Sequence, residues 1–116
     1  MNVLVVEDDA LIALDIEQTL LAMGGIAVTV AHRLDDALAI LDGRDYDLSI
    51  LDVDLGAQTS LSIAERLRVE GRPFLFLTGY RSERLRDLGL SEDRLLEKPF
   101  TEDALMAQVA RLLRRA

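Results

Sequence analysis

Val3-Leu4-Val5-Val6-Glu7-Asp8-Asp9 decides how this chain folds. An apolar, β-branched run passes directly into three acids. The pattern recurs downstream with other endings. Leu48-Ser49-Ile50-Leu51 stops at Asp52, Phe74-Leu75-Phe76-Leu77 stops at Thr78, and the shorter Leu95-Leu96-Glu97 stops at the sole lysine, Lys98, before Pro99. Short apolar runs alternating with helical stretches indicate an α/β fold whose parallel sheet is covered on both faces. In such sheets ligands bind outside the carboxyl ends of the strands. Acids, a hydroxyl and an amine far apart in sequence are therefore expected at one edge, a place for a divalent cation and a phosphoryl group.

The segments between these runs read as helices. Ile12, Ile16, Leu20 and Met23 recur at helical spacing from about Asp9 to Met23, and Gly24-Gly25 ends that helix. Strand 2 is expected over Ile26–Ala31. A second helix spans about Leu34–Asp42, with Leu34, Ala37, Leu38 and Leu41 as its stripe and Asp35 and Asp36 in its first turn. Asp52–Thr59 reads as a loop, and a third helix as roughly Ser60–Val69. Gly71-Arg72-Pro73 breaks the chain before strand 4, Phe74–Leu77. A weak helix near Ser82–Leu88 precedes strand 5, Arg94–Glu97. The last helix begins at Thr101, with Leu105, Val109 and Leu112 facing the core and Arg111, Arg114 and Arg115 at its C-terminal end. Five βα units with short right-handed crossovers place helices on both faces. One domain over residues 1–116 is expected, with no second domain.

Composition narrows the function classes. The chain has 116 residues, half of them apolar, which suits one packed core and excludes disorder. No apolar run approaches the ~20 residues of a membrane span, and no basic segment precedes Val3 as a signal peptide would require. Cysteine is absent, so thiolate metal sites are excluded. A cytoplasmic protein is expected. The net charge of −8 argues against nucleic acid as a direct partner. Residues 1–58 hold twelve acids and two arginines, whereas residues 59–116 hold nine acids and eleven basic residues. Asp35, Asp36, Asp42 and Asp45 read as a solvated acidic surface.

Glu7, Asp8 and Asp52 carry the chemistry. Carboxylates at neighbouring strand ends repel one another, and a hard cation removes that cost. Mg²⁺ (or Mn²⁺) takes about six oxygen ligands. Asp8 and Asp52 are the expected direct ligands, with the backbone carbonyl of Asp54 as a third and Glu7 acting through water. Asp9 is expected to cap the first helix. Lys98 beside these acids would form an ion pair and neutralise a phosphoryl oxygen. Thr78 closes an apolar strand with a hydroxyl able to donate to such an oxygen, and Gly79 leaves room for it. Pro99 favours a tight turn, with a cis bond an option. His32, the only histidine, reads as a surface residue, neither base nor ligand. With no second histidine and no cysteine, Ser–His or Cys–His catalysis has little support.

Taken together, Val3–Asp9, Asp47–Leu55, Phe76-Leu77-Thr78-Gly79 and Glu97-Lys98-Pro99-Phe100 resemble the receiver domain of two-component response regulators. The resemblance covers essentially the whole chain. It implies a flavodoxin-like (βα)5 sandwich with strand order 2-1-3-4-5. It implies that Asp52 accepts a phosphoryl group from the phosphohistidine of a sensor histidine kinase or a phosphotransfer protein. Glu7 and Asp8 would hold Mg²⁺, Thr78 and Lys98 would take the family's hydroxyl and lysine roles, and a shift beyond strand 4 would change binding of a downstream protein. The domain would be an acceptor rather than an enzyme, apart from slow self-dephosphorylation. Two departures stand out. Leu95 occupies the strand-5 position where many receivers carry an aromatic switch residue, so Tyr80 is a substitute candidate. The loop after Asp52 reads Leu55-Gly56-Ala57 rather than Pro-Gly. Phe74–Tyr80, ending Thr-Gly-Tyr, resembles stand-alone receivers that serve HWE-type kinases.

Two other readings compete. Asp52-Val53-Asp54 imitates the Asp-x-Asp pair of aspartate-nucleophile phosphatases, but on the third strand of a short domain instead of the first. Leu95 admits a receiver-fold binding module that does not switch. Arg81, Arg84, Arg86 and Arg94 could form a partner surface, or simply solvated charge.

Overall fold

A computed structural model describes residues 1–55, 58–79 and 94–114. The elements are β1 (Asn2–Val6), α1 (Ala10–Met23), β2 (Ala27–Ala31), α2 (Leu34–Gly43), β3 (Leu48–Asp52), β4 (Asp54–Leu55), β5 (Gln58–Thr59), α3 (Leu61–Val69), β6 (Phe74–Thr78), β7 (Leu95–Glu97) and α4 (Glu102–Arg114). Five strands form one parallel sheet in the order β2-β1-β3-β6-β7. Setting aside the ribbon of β4 and β5, this is the expected 2-1-3-4-5 order. The fourth expected helix, Ser82–Leu88, lies outside the described residues, as do Tyr80, Arg81, Arg84 and Arg86.

Period-2 alternation divides the strands between two cores. Val3, Val5, Leu48, Ile50, Leu75 and Leu77 pack against Ile16 and Leu20 of α1 and Leu105, Val109 and Leu112 of α4. Leu4, Val6, Leu51, Phe74 and Phe76 face the other way, against Ala37 and Leu41 of α2 and Ile63, Ala64 and Leu67 of α3. The helical stripes read from sequence are thus the buried ones. β1, β3 and β6 are buried along almost their whole length, as central strands covered on both faces must be.

Local chemistry fixes the helix ends. Asp9 caps α1: its carboxylate accepts from the N–H groups of Leu11 at 2.9 Å and Ile12 at 3.1 Å. Gly24 follows with φ +81°, a conformation that costs a glycine little. Thr101 Oγ1 accepts from the Ala104 N–H at 3.0 Å and opens α4. At the lower edge of the sheet, the Asn2 N–H donates to Asp47 Oδ2 at 2.7 Å while the Asp47 N–H donates to the Asn2 carbonyl at 2.8 Å, which sets the β1–β3 register. The exposed acids Asp42 and Asp45 are not merely solvated, as Arg66 and Arg72 pair with them.

Several boundaries differ from the sequence reading: β2 begins at Ala27 and β7 at Leu95, each one residue later than expected. Asp52–Thr59 is not all loop, because Asp54–Leu55 and Gln58–Thr59 pair antiparallel as a two-residue ribbon. β3 and β6 each extend one residue further, through Asp52 and Thr78, so both polar residues belong to their strands. Ile50 sits at the centre of the α1/α4 core with no solvent exposure. Ile50→Ala should lower the unfolding free energy by roughly 2–5 kcal/mol, the usual cost of such a truncation. Urea denaturation followed by circular dichroism checks this, and a loss below 1 kcal/mol would contradict the packing described.

Candidate functional site

The register brings the polar strand ends together. Val6 of β1 lies beside Leu51 of β3, and Asp52 lies beside Leu77 of β6, so residues 7, 52 and 78 emerge from neighbouring strands. The alternation that sends Val5 and Ile50 toward the α1/α4 face continues to Glu7 and Asp52. Carboxylate oxygens of Glu7, Asp8 and Asp52 all lie within 4.8 Å of one another. Glu7 and Asp52 are buried, and Asp8 is exposed at the rim.

Lys98 reaches into this cluster from beyond β7. Its Nζ donates to Glu7 Oε1 at 2.6 Å and stands 3.4 Å from Asp52 Oδ1. The Lys98 N–H also donates to the Thr78 carbonyl at 2.8 Å, fixing the residue from which the side chain springs. The Lys98–Pro99 peptide is cis, the option the sequence left open. Thr78 is buried at the end of β6, paired in register with Glu97. Leu95 is buried opposite Phe76. Arg94 lies over the Phe74 ring at 4.8 Å, so it is held by an aromatic face rather than freely solvated.

The electrostatics are strained in a defined way. Asp52 is pushed up from 3.8 to about 8, first by burial, then by its hydrogen bond with Glu7 and the Glu7 charge; Lys98 offsets this only in part. For Lys98, burial works to lower the pKa, but the Glu7 hydrogen bond and the charges of Asp52 and Glu7 outweigh it and raise it. The ammonium therefore stays charged. A donor set of clustered carboxylate oxygens suits a hard, oxygen-seeking cation such as Mg²⁺ or Mn²⁺.

Two residues that hold the site escaped the sequence reading. Ser60 was expected only to begin α3. Its hydroxyl makes no cap bond and instead donates to the Asp52 carbonyl at 2.7 Å, while its N–H donates to Val53 O at 3.0 Å. His32 is exposed, as expected of a surface residue, yet its Nδ1 lies 2.9 Å from the Glu7 carbonyl. Glu7 takes up the ion pair expected of Lys98 and the acidic cluster. Its carboxylate is fully buried and engaged directly by Lys98. Asp54 starts β4, half-buried, two residues past Asp52.

Comparison with known proteins places this architecture in a family. The model of the response regulator receiver domain matches residues 3–110, and the chain belongs to that family. Among curated relatives, the transcriptional regulatory protein DltR of Streptococcus agalactiae is 38% identical over 113 residues, covering 94% of this chain and 50% of that protein. The chain thus spans about half the length of the curated relatives it matches. The receiver domain of the Francisella response regulator 1452 superposes with a TM-score of 0.83 at 30% identity, covering 98% of this chain and 97% of the other. A response regulator from Burkholderia pseudomallei, solved with a phosphorylated aspartic acid, calcium ion and citrate, gives 0.79 at 26% identity, covering 98% and 69%.

The raised Asp52 carboxyl makes a pH prediction for metal-free protein. Between about pH 4 and pH 8 the folded state keeps a proton that the unfolded state has released, so stability falls as pH rises across that window. Asp52→Asn removes this titration. The stability advantage of Asp52→Asn over wild type should therefore be smallest near pH 4, grow to about pH 8 and then level off. Thermal unfolding of both proteins in chelator across this range tests it; a pH-independent difference would contradict the burial-driven shift.

Proposed function

We propose that this domain is a phosphoacceptor switch of a two-component system, with Asp52 as the acceptor. The observation that carries the reading is the geometry of Asp52, buried within 4.8 Å of the Glu7 and Asp8 carboxylates and 3.4 Å from the Lys98 ammonium. An Asp52 oxygen attacks the phosphorus of a phosphohistidine on a sensor histidine kinase or phosphotransfer protein. The P–N bond breaks, the imidazole leaves with the bonding electron pair, and an acyl phosphate forms on Asp52. Lys98 neutralises charge on the phosphoryl oxygens. Asp8 and Asp52, with the Asp54 carbonyl, would hold Mg²⁺ or Mn²⁺ directly, and Glu7 through water. When bound, that ion supplies positive charge that keeps the carboxylates ionised and offsets the phosphoryl oxygens.

Burial and the neighbouring Glu7 raise the Asp52 pKa, and a bound cation would act in the opposite direction, favouring the ionised nucleophile. Once phosphorylated, residue 52 gains about −1.5 to −2 charges. Thr78, at the end of the neighbouring strand, is drawn toward the new oxygens and biases the chain that follows β6. The domain is thus an acceptor, not an enzyme, beyond slow self-dephosphorylation. Its partners are a kinase, HWE-type on the Phe74–Tyr80 pattern, and a downstream protein, in the cytoplasm and without direct nucleic-acid contact. Among the described residues no helix is long and apolar enough to cross a membrane.

Leu95 favours a second reading. A buried aliphatic in place of an aromatic switch suits a binding module whose partner affinity does not change with phosphorylation. Beryllofluoride, a phosphoryl mimic, separates the two, since an unchanged partner affinity supports the module.

Labelling by radioactive acetyl phosphate should require Mg²⁺, disappear in Asp52→Asn and persist in a control such as Asp45→Asn. Wild-type labelling of Asp52→Asn would overturn the assignment. Millimolar Mg²⁺ should raise the melting temperature of the wild-type protein through binding to the folded state. That rise should shrink in Asp8→Ala, and an undiminished rise would remove Asp8 from the ligand set.

A further inference from the structure

The β1–β2 ladder ends at Glu7, whose N–H donates to the Ala31 carbonyl at 3.0 Å. One residue past the ladder, Arg33 is the N-cap position of α2 and the chain is leaving the sheet. The Glu7 carbonyl accepts from the His32 ring at 2.9 Å. A carbonyl oxygen only accepts, so Nδ1 carries the hydrogen. Glu7 is consequently held at three points: its N–H by Ala31, its carbonyl by His32 and its carboxylate by Lys98.

We propose that His32 is a positioning residue for the acidic site, fixing through the Glu7 carbonyl the peptide plane from which Asp8 projects. The Glu7 carbonyl and the Asp8 N–H belong to one rigid planar unit, so a bond to the first sets the orientation of the second. Asp8 is the exposed member of the carboxylate cluster and lacks the burial that holds Glu7 and Asp52 in place. His32 and Asp8 also border the same surface hollow, along with Leu34, Leu55 and Gln58. The ring is exposed, so replacing it leaves both cores intact. This inference rests on the reading of Asp8 as a cation ligand, and the test separates the two.

Mg²⁺ affinity by calorimetry and the Asp8 amide ¹⁵N shift are measured for wild type, His32→Ala, His32→Asn, His32→Gln and Asp8→Ala. His32→Ala should weaken Mg²⁺ binding about three- to tenfold, the range expected for losing one outer hydrogen bond, and move the Asp8 amide signal. The Asn amide nitrogen occupies roughly the place of Nδ1, so His32→Asn should recover most of the affinity, while Gln places its amide at the Nε2 position and should not. Wild-type affinity in His32→Ala, with affinity lost in Asp8→Ala, overturns the positioning role and leaves the site reading intact. Wild-type affinity in Asp8→Ala overturns the ligand reading and this inference with it. Equal behaviour of the Asn and Gln variants also overturns the proposal, since the donor at Nδ1 would then be irrelevant.

Discussion

Like-charge crowding at the upper edge of the sheet is the constraint to which the rest of the structure answers. Three carboxylates share a space less than 5 Å across, and among the described residues one ammonium, that of Lys98, pairs with two of them. Two of those acids are taken out of water, where an unpaired carboxylate is costly. The molecule tolerates the arrangement because Lys98 bridges Glu7 and Asp52 and because burial beside Glu7 raises the Asp52 pKa, which favours its uncharged form. Among the described residues both remedies are partial, and on the proposed function the remaining demand for positive charge is what would draw a cation to this edge.

The backbone around the cluster is correspondingly over-determined. Asp52 is held through its carbonyl by Ser60, and the Val53 N–H donates to Leu77 O at 3.0 Å, closing β3 against β6. Lys98 is anchored by its own N–H to Thr78 O. These are main-chain tethers from side chains or neighbouring strands, and they let repelling groups stay close without the strands splaying. Surface ion pairs such as Arg68–Glu65 contribute little by comparison, being exposed on both sides.

Most of the architecture was legible in the chain because each strand announces its end with a polar residue. The apolar runs, the helical stripes and the Asp9 cap all follow from periodicity and end chemistry, and they located residues 7, 8, 52, 78 and 98 at one edge. What the pattern did not convey was how the two adjacent acids divide their labour. Composition treats Glu7 and Asp8 alike, although the period of two that places Val3 and Val5 on one face already aims Glu7 inward. The partners of backbone carbonyls were hidden for a different reason: Ser60 and His32 act across sequence gaps of 8 and 25 residues, and nothing in a linear pattern records such a bond. The two-residue ribbon after Asp52 was likewise too short to carry a strand signature.

Arg66 lies near the end of α3 remote from Ser60. Its guanidinium donates to Asp42 at 2.8 Å, to the Leu41 carbonyl at 3.2 Å and to Glu70 at 3.2 Å, tying the tail of α3 to the tail of α2. The head of the same helix is tied to residue 52 through Ser60. The helix is thus tethered at both ends, at the acidic pole by Ser60 and at the base by Arg66.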